Sequence, residues 1–248
     1  MVIILSLTSR LPPSAGAGIS FFRSGVDNIV GVNSDEFFTG DMGYSEGYIM
    51  LSFGVDLHKF LSFGLNGKSL FQRYHLSNDE KYISRGVSLD FGLSSSLSDK
   101  VNIGIQLESM FGGYNWNQSI SSNSIPYKEK IPTRIIGGFS YKPIDQSLIL
   151  LQLETILIPD GYLSKRLSLG IEFSFDIIDK FKPILLRMGL EQSRWLNDTN
   201  GVPSKLVSPS AGIGIEFKIF NKISLNLDYA LDVDNTGINN LFSFRTEL

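Results

Sequence analysis

Residues 209–248 read PSAGIGIEFKIFNKISLNLDYALDVDNTGINNLFSFRTEL. Ala211, Ile213, Ile215, Phe217 and Ile219 alternate there with Gly212, Gly214, Glu216 and Lys218. Past a turn around Asn221 the alternation resumes, Ile223, Leu225, Leu227 and Tyr229 against Ser224, Asn226, Asp228 and Ala230. The end repeats it, with Phe242, Phe244, Thr246 and Leu248 on one face and Ser243, Arg245 and Glu247 on the other. Successive side chains of a strand leave opposite faces of the sheet, so a strict period of two predicts three amphipathic strands. An unpaired strand edge templates aggregation, and closure of the sheet into a barrel removes it.

The pattern continues upstream. Strands are expected at about 2–10, 14–23, 44–57, 59–71, 83–97, 100–111, 131–142, 146–157, 166–176, 182–191, 209–219, 222–231 and 241–248. Tight connections near Pro12, His58, Ser98, Pro143, Ile178 and Asn221 alternate with long ones at about 24–43, 72–82, 112–130, 158–165, 192–208 and 232–240. Short turns on one rim and long loops on the other are the pattern of an outer-membrane barrel. Ten to twelve residues at about 3.3 Å each, tilted near 45°, rise ~23–28 Å, enough for the apolar band of such a membrane.

Composition agrees. The 248 residues include 24 glycines, 12 % aromatics and 19 % charged residues, which is strand-and-turn chemistry. A net charge of -3 offers no basic footprint for a phosphate backbone, so no nucleic-acid partner is expected. With no cysteine there are neither disulfides nor thiolate metal sites. No apolar run is long enough for a spanning helix, so a membrane crossing has to be made by strands. Residues 1–10, MVIILSLTSR, lack the basic leader of a signal peptide and read as a strand entered midway. With periplasmic tight turns and an even strand number, one ascending strand is expected upstream, in a chain truncated at its N-terminus.

The two faces differ. One carries Leu61, Phe63 and Leu65, then Val87, Leu89, Phe91 and Leu93, then Val101, Ile103, Ile105 and Leu107, then Leu167, Leu169, Ile171, Phe173 and Phe175. The other carries Lys68, Asp90, Glu108, Arg134, Glu154, Glu172, Arg187, Glu216, Lys218, Asp228 and Arg245. Basic residues mid-strand against lipid cost about 2–4 kcal/mol each, so the charged set is expected to face the lumen and the aliphatic set the lipid. In a soluble barrel binding a small ligand, the competing reading, the aliphatic set is the core and the charges are the solvated outside. The strand at 146–157 fits least well, because Leu148 to Leu151 are apolar on both faces.

Little suggests catalysis. His58 sits in a tight turn and His75 at the start of a long loop, and no spacing marks a metal pair or a serine–histidine device. Asp35, Glu36, Asp41 and Glu46 cluster in the first long loop without the ligand spacing of a calcium site, and read as a solvated acidic loop. The glycine pairs at 16 and 18 and at 212 and 214 lie inside strands, so they are not phosphate loops. Tyr114, Trp116 and Trp195 fall at or beyond strand ends, as girdle residues or, on outward loops, as anchors for a protein partner. No enzyme activity, metal or cofactor is expected.

AGAGISFFRSGVDNI at 15–29, GDMGYSE at 40–46, LNGKSL at 65–70 and GVSLDFG at 86–92 follow one another as in the PorV/PorQ family of FadL-like outer-membrane barrels. LRMGL at 186–190, AGIG at 211–214, LDYA at 227–230 and FSFR at 242–245 resemble that family's closing strands. The resemblance implies a fourteen-stranded barrel, thirteen visible strands plus one. It also implies a part in type IX protein secretion, as a shuttle or attachment partner for exported proteins; the long loops at 24–43, 112–130 and 192–208 are where such a partner is expected to bind. FadL-like relatives instead pass hydrophobic small molecules through the barrel wall, which is the alternative function. The shared motifs are structural, so no functional residue is carried over. The expected partners are outer-membrane lipid together with exported proteins, secretion components or hydrophobic small molecules.

Overall fold

In a computed structural model, residues 2–32, 38–75, 81–119, 127–157, 163–175, 184–192, 195–196, 207–220, 223–234 and 237–247 are described. All elements are strands: β1 Val2–Leu11, β2 Ala15–Val32, β3 Phe38–His58, β4 Leu61–His75, β5 Lys81–Ser98, β6 Val101–Ser119, β7 Tyr127–Lys130, β8 Thr133–Tyr141, β9 Ser147–Leu157, β10 Leu163–Phe175, β11 Ile184–Gln192, β12 Trp195–Leu196, β13 Val207–Phe220, β14 Ile223–Asp234 and β15 Gly237–Glu247. Thirteen strands follow one another in sequence order, with β7 on β6 and β12 on β10 beside that path. Among the described residues no pairing closes the order from β15 back to β1. The expected thirteen segments are these thirteen strands.

The chain forms two units, one of residues 1–94, 106–135 and 157–160, the other of 95–105, 136–156 and 161–248. The first is built on hairpins. Leu11 faces Ala15 across the β1–β2 turn, and His58 faces Leu61 across the β3–β4 turn. In the second, β13 and β14 keep the alternation of the terminal stretch in one register, Ile213 opposite Tyr229 and Gly214 opposite Asp228, with an irregularity only at 218–220 beside the turn.

Burial is inverted relative to a water-soluble sheet protein. Leu70 and Ile156 are the only buried apolar residues among those described, while Asp90 and Glu154 are each 1 % exposed. The aliphatic face stands open, with Leu51 63 % exposed in the first unit and Leu153, Leu190 and Phe244 exposed in the second. Buried charges and exposed large apolar side chains are the informative departures from ordinary globular packing.

One expectation is corrected. The stretches 24–43 and 112–130 are not wholly loops: β2 runs to Val32, β3 begins at Phe38, β6 runs to Ser119, and β7 pairs with it. Glycine, serine and asparagine there resemble turn chemistry, but a long ladder continues through such residues once its neighbour strand is in place. Asp41 and Glu46 therefore lie on β3 at positions of opposite parity rather than in an acidic loop. Asp35 and Glu36 lie outside the described residues.

Candidate functional site

The charges expected on one face do meet there. In the first unit Lys68 Nζ lies 2.7 Å from Asp90 Oδ2, and Asn66 Nδ2 donates to the same oxygen at 3.2 Å. The other Asp90 oxygen accepts the Ser109 backbone N–H at 3.0 Å. β6 is distorted at that point. Arg134 meets Glu108 at 2.7 Å, and Gly113 is registered with Lys130. Between them Ser109 and Phe111 adopt φ of 57° and 56°, in the left-handed region. Asp90 is thus a buried anchor that neutralises Lys68 and caps a distorted strand.

Further from the tight turns an aromatic cluster covers the same face. Tyr44 and Tyr74 have ring centroids 4.6 Å apart, Tyr74 and Trp116 5.6 Å, and Tyr114 and Trp116 6.4 Å. The Tyr44 hydroxyl donates to Glu46, and Trp116 Nε1 donates to Glu129 at 2.8 Å. Tyr44 and Tyr114 stand ~30 Å along the sheet from the tight-turn rim at a barrel strand's rise and tilt. Burial, then the hydrogen bond to Glu46, holds the Tyr44 hydroxyl far above the usual phenol range. Burial, then the Glu46 and Glu129 charges, pushes Tyr114 up to about 12. Both stay neutral at physiological pH.

In the second unit two arginines organise the face. Arg166 bonds Glu154 and reaches Glu191 at 2.7 Å. Arg187 donates to Glu172 at 2.7 Å and, across β13, to Asp228. That reach passes over Gly214, where an added Cβ would lie 2.5 Å from Asp228 Oδ1 and 3.1 Å from Arg187 Nη1. The glycine is the opening through which the ion pair crosses a strand. Glu216, Asn226 and Arg245 continue this face in register.

The second unit also holds a depression of about 390 Å³. It is lined by Asn102 and Ile103 of β6, Gly138, Phe139 and Ser140 of β8, Leu150, Leu151 and Gln152 of β9, and Ser168, Leu169 and Gly170 of β10. Seven of these, Leu150 among them, share the parity of Glu108, Arg134, Glu154 and Glu172 on the charge-bearing face; Ile103, Phe139, Leu151 and Leu169 have the other parity. A Cβ on Gly170 would lie 3.6 Å from the Leu150 Cβ, and around Gly138 there is open space. Two missing side chains and one leucine thus make an apolar spot on a polar face, at the strand whose alternation fails.

Of the eleven expected charges, Lys68, Asp90, Glu108, Arg134, Glu154, Glu172, Arg187 and Asp228 are ion-paired. Glu216 and Arg245 share their face, and Lys218 lies on β13 with its side chain outside the described residues. Tyr114 and Trp116 are corrected from loop positions to β6, where β7 pairs with them. Trp195 lies on β12 opposite Lys165, and its side chain is outside the described residues. Arg166 and Glu191 were not among the expected residues. Arg166 shares the parity of Glu172, a signal the sequence contained, whereas nothing in it tied Glu191 to Arg166.

No protein-family profile matches the chain, and no curated protein matches it. Solved structures do. The CymD monoaromatic hydrocarbon channel superposes with a TM-score of 0.65 at 14 % identity, over 98 % of this chain and 81 % of that one. The Pseudomonas putida toluene transporter TodX gives 0.63 at 12 %, over 98 % and 81 %. A Pseudomonas aeruginosa FadL homologue gives 0.62 at 9 %, over 98 % and 75 %. At these identities the likeness is one of fold. The chain has the all-antiparallel FadL-like barrel fold that the resemblance implied; CymD and TodX are named as a hydrocarbon channel and a toluene transporter, and none of the three as a PorV-type secretion component.

Proposed function

We propose that this chain forms the wall of an outer-membrane channel for small hydrophobic molecules and is not an enzyme. The apolar depression on the charge-bearing face carries the reading. Leu150, set between Gly138 and Gly170, offers a greasy contact where the rest of the face is ion-paired. The charged set faces the lumen, where pairing and water tolerate it, and the exposed aliphatic set meets lipid. The similarity to CymD and TodX, named as a monoaromatic hydrocarbon channel and a toluene transporter, supports the same class of cargo.

The test is uptake of labelled toluene into proteoliposomes. Wild-type protein should admit toluene faster than protein-free vesicles and should not admit glucose. Leu150→Asp should lower the toluene rate while the protein keeps its folded mobility on a semi-native gel. Uptake no faster than through bare lipid overturns the proposal.

A further inference from the structure

On the lipid-directed face of β2, β3 and β4 the chemistry changes abruptly with height. Leu57, Phe53, Leu51 and Ile49 of β3 stand exposed in succession from the tight-turn end. Ten residues separate Leu57 from Gly47, a rise of ~23 Å, which is about the height of an outer-membrane apolar band. At Gly47 two phenylalanines close the band. Phe21 and Phe71 stack with ring centroids 6.3 Å apart, and the Phe71 ring occupies the space a Gly47 side chain would take.

Directly above begins a pocket of about 360 Å³ that contains Arg23, Arg73, His75, Asp27 and Asp41. Register orders it in two tiers. Arg23 is opposite Gly47 and Arg73 opposite Ser45, next to the aromatic pair, while His75 lies further out, opposite Gly43. Asp41 is two residues beyond Gly43 in parity, and Asp27 Oδ1 would lie 3.5 Å from a Gly43 Cβ, so both carboxylates belong to the outer tier. A bulge between Val26 and Ile29, with Asn28 at φ 60°, opens β2 beside them. Arg85 of β5, exposed and in parity with the apolar Val87 and Leu89, adds a guanidinium to this face.

We infer that this pocket holds the phosphorylated sugar headgroup of an outer-leaflet glycolipid. Its phosphate would sit on Arg23 and Arg73, and its hydroxyls would donate to Asp27 and Asp41. Arginine forks match phosphate oxygens, and a phosphate at the top of the apolar band lies at their height. The acyl chains then run down the exposed Ile49, Leu51 and Phe53. Continuity of the pocket with that apolar strip favours a lipid over free phosphate. The inference rests on the reading that this face meets the membrane.

The experiment uses the full chain, folded by its semi-native gel mobility, in phosphatidylcholine vesicles doped with a bisphosphorylated glucosamine-disaccharide lipid or its dephosphorylated form. Bound lipid is counted by native mass spectrometry. Wild-type protein should bind the dephosphorylated lipid about tenfold or more weakly. Arg23→Ser with Arg73→Ser should abolish that difference while leaving toluene uptake unchanged, and millimolar inorganic phosphate should not compete. Equal binding of both lipids, a double variant that discriminates like wild type, or full competition by inorganic phosphate overturns the inference and leaves the membrane reading standing. A protein that stays in water without detergent and inserts in neither vesicle overturns both.

Discussion

Two side-chain networks show how single residues hold this face together. Glu154 is 1 % exposed and ion-paired with Arg166. Removing one partner of a buried pair costs about 3–5 kcal/mol. Arg166→Ala should therefore lower the unfolding free energy, measured by urea titration, by an amount in that range, and a loss under about 1 kcal/mol, typical of an exposed pair, would show that other groups or water carry the Glu154 charge. Gly214 contributes by what it lacks. Gly214→Ala places a methyl against Asp228 and Arg187 and should destabilise by about 1–3 kcal/mol, as overpacking does. In an Arg187→Met background, where Asp228 can turn away, the same change should cost less. Equal costs in both backgrounds would mean that the crossing ion pair is not what the glycine serves.

At the scale of the strand, alternation assigns each residue to a face, and the two faces should respond oppositely to charge. Leu51 and Ser52 are neighbours on β3, the first 63 % exposed on the aliphatic face, the second on the face of Lys68. Leu51→Arg should cost about 2–4 kcal/mol in a bilayer and Ser52→Arg much less. Folding yields into vesicles measure both, and the reverse ranking would exchange lumen and lipid. The distortion of β6 shows where strand-level reading stops. Ser109 and Phe111 adopt a conformation their side chains disfavour, and Asp90 from the neighbouring strand accepts the Ser109 N–H.

For the molecule as a whole, the inverted burial makes one prediction. A protein whose aliphatic face is open and whose charges are paired on the other face should require detergent or lipid to stay dispersed. It should also run faster on a semi-native gel before boiling than after. A monodisperse detergent-free preparation would return the aliphatic residues to a core and restore the soluble ligand-binding alternative. Fold similarity to CymD and TodX reaches across nearly the whole chain at 14 % identity or less. Architecture at this scale is therefore carried by alternation and turn spacing, which many sequences satisfy, and not by particular residues.

By itself the sequence determined what is local. Side chains alternate because a strand's geometry makes them do so, so Ile213 to Ile219 and Leu225 to Tyr229 announce strands, faces and turns without reference to the rest of the chain. It likewise separated the charges from the aliphatic residues. Only the tertiary structure decided what those charges touch, because partnership depends on register, and register sums every turn and bulge between two strands. Arg166 finds Glu191 across 25 residues and Arg187 finds Asp228 across 41. The same dependence turned expected loops at 112–119 and 127–130 into paired strand, placed Gly138, Leu150 and Gly170 around one depression, and set Arg23 beside Arg73 above the apolar band.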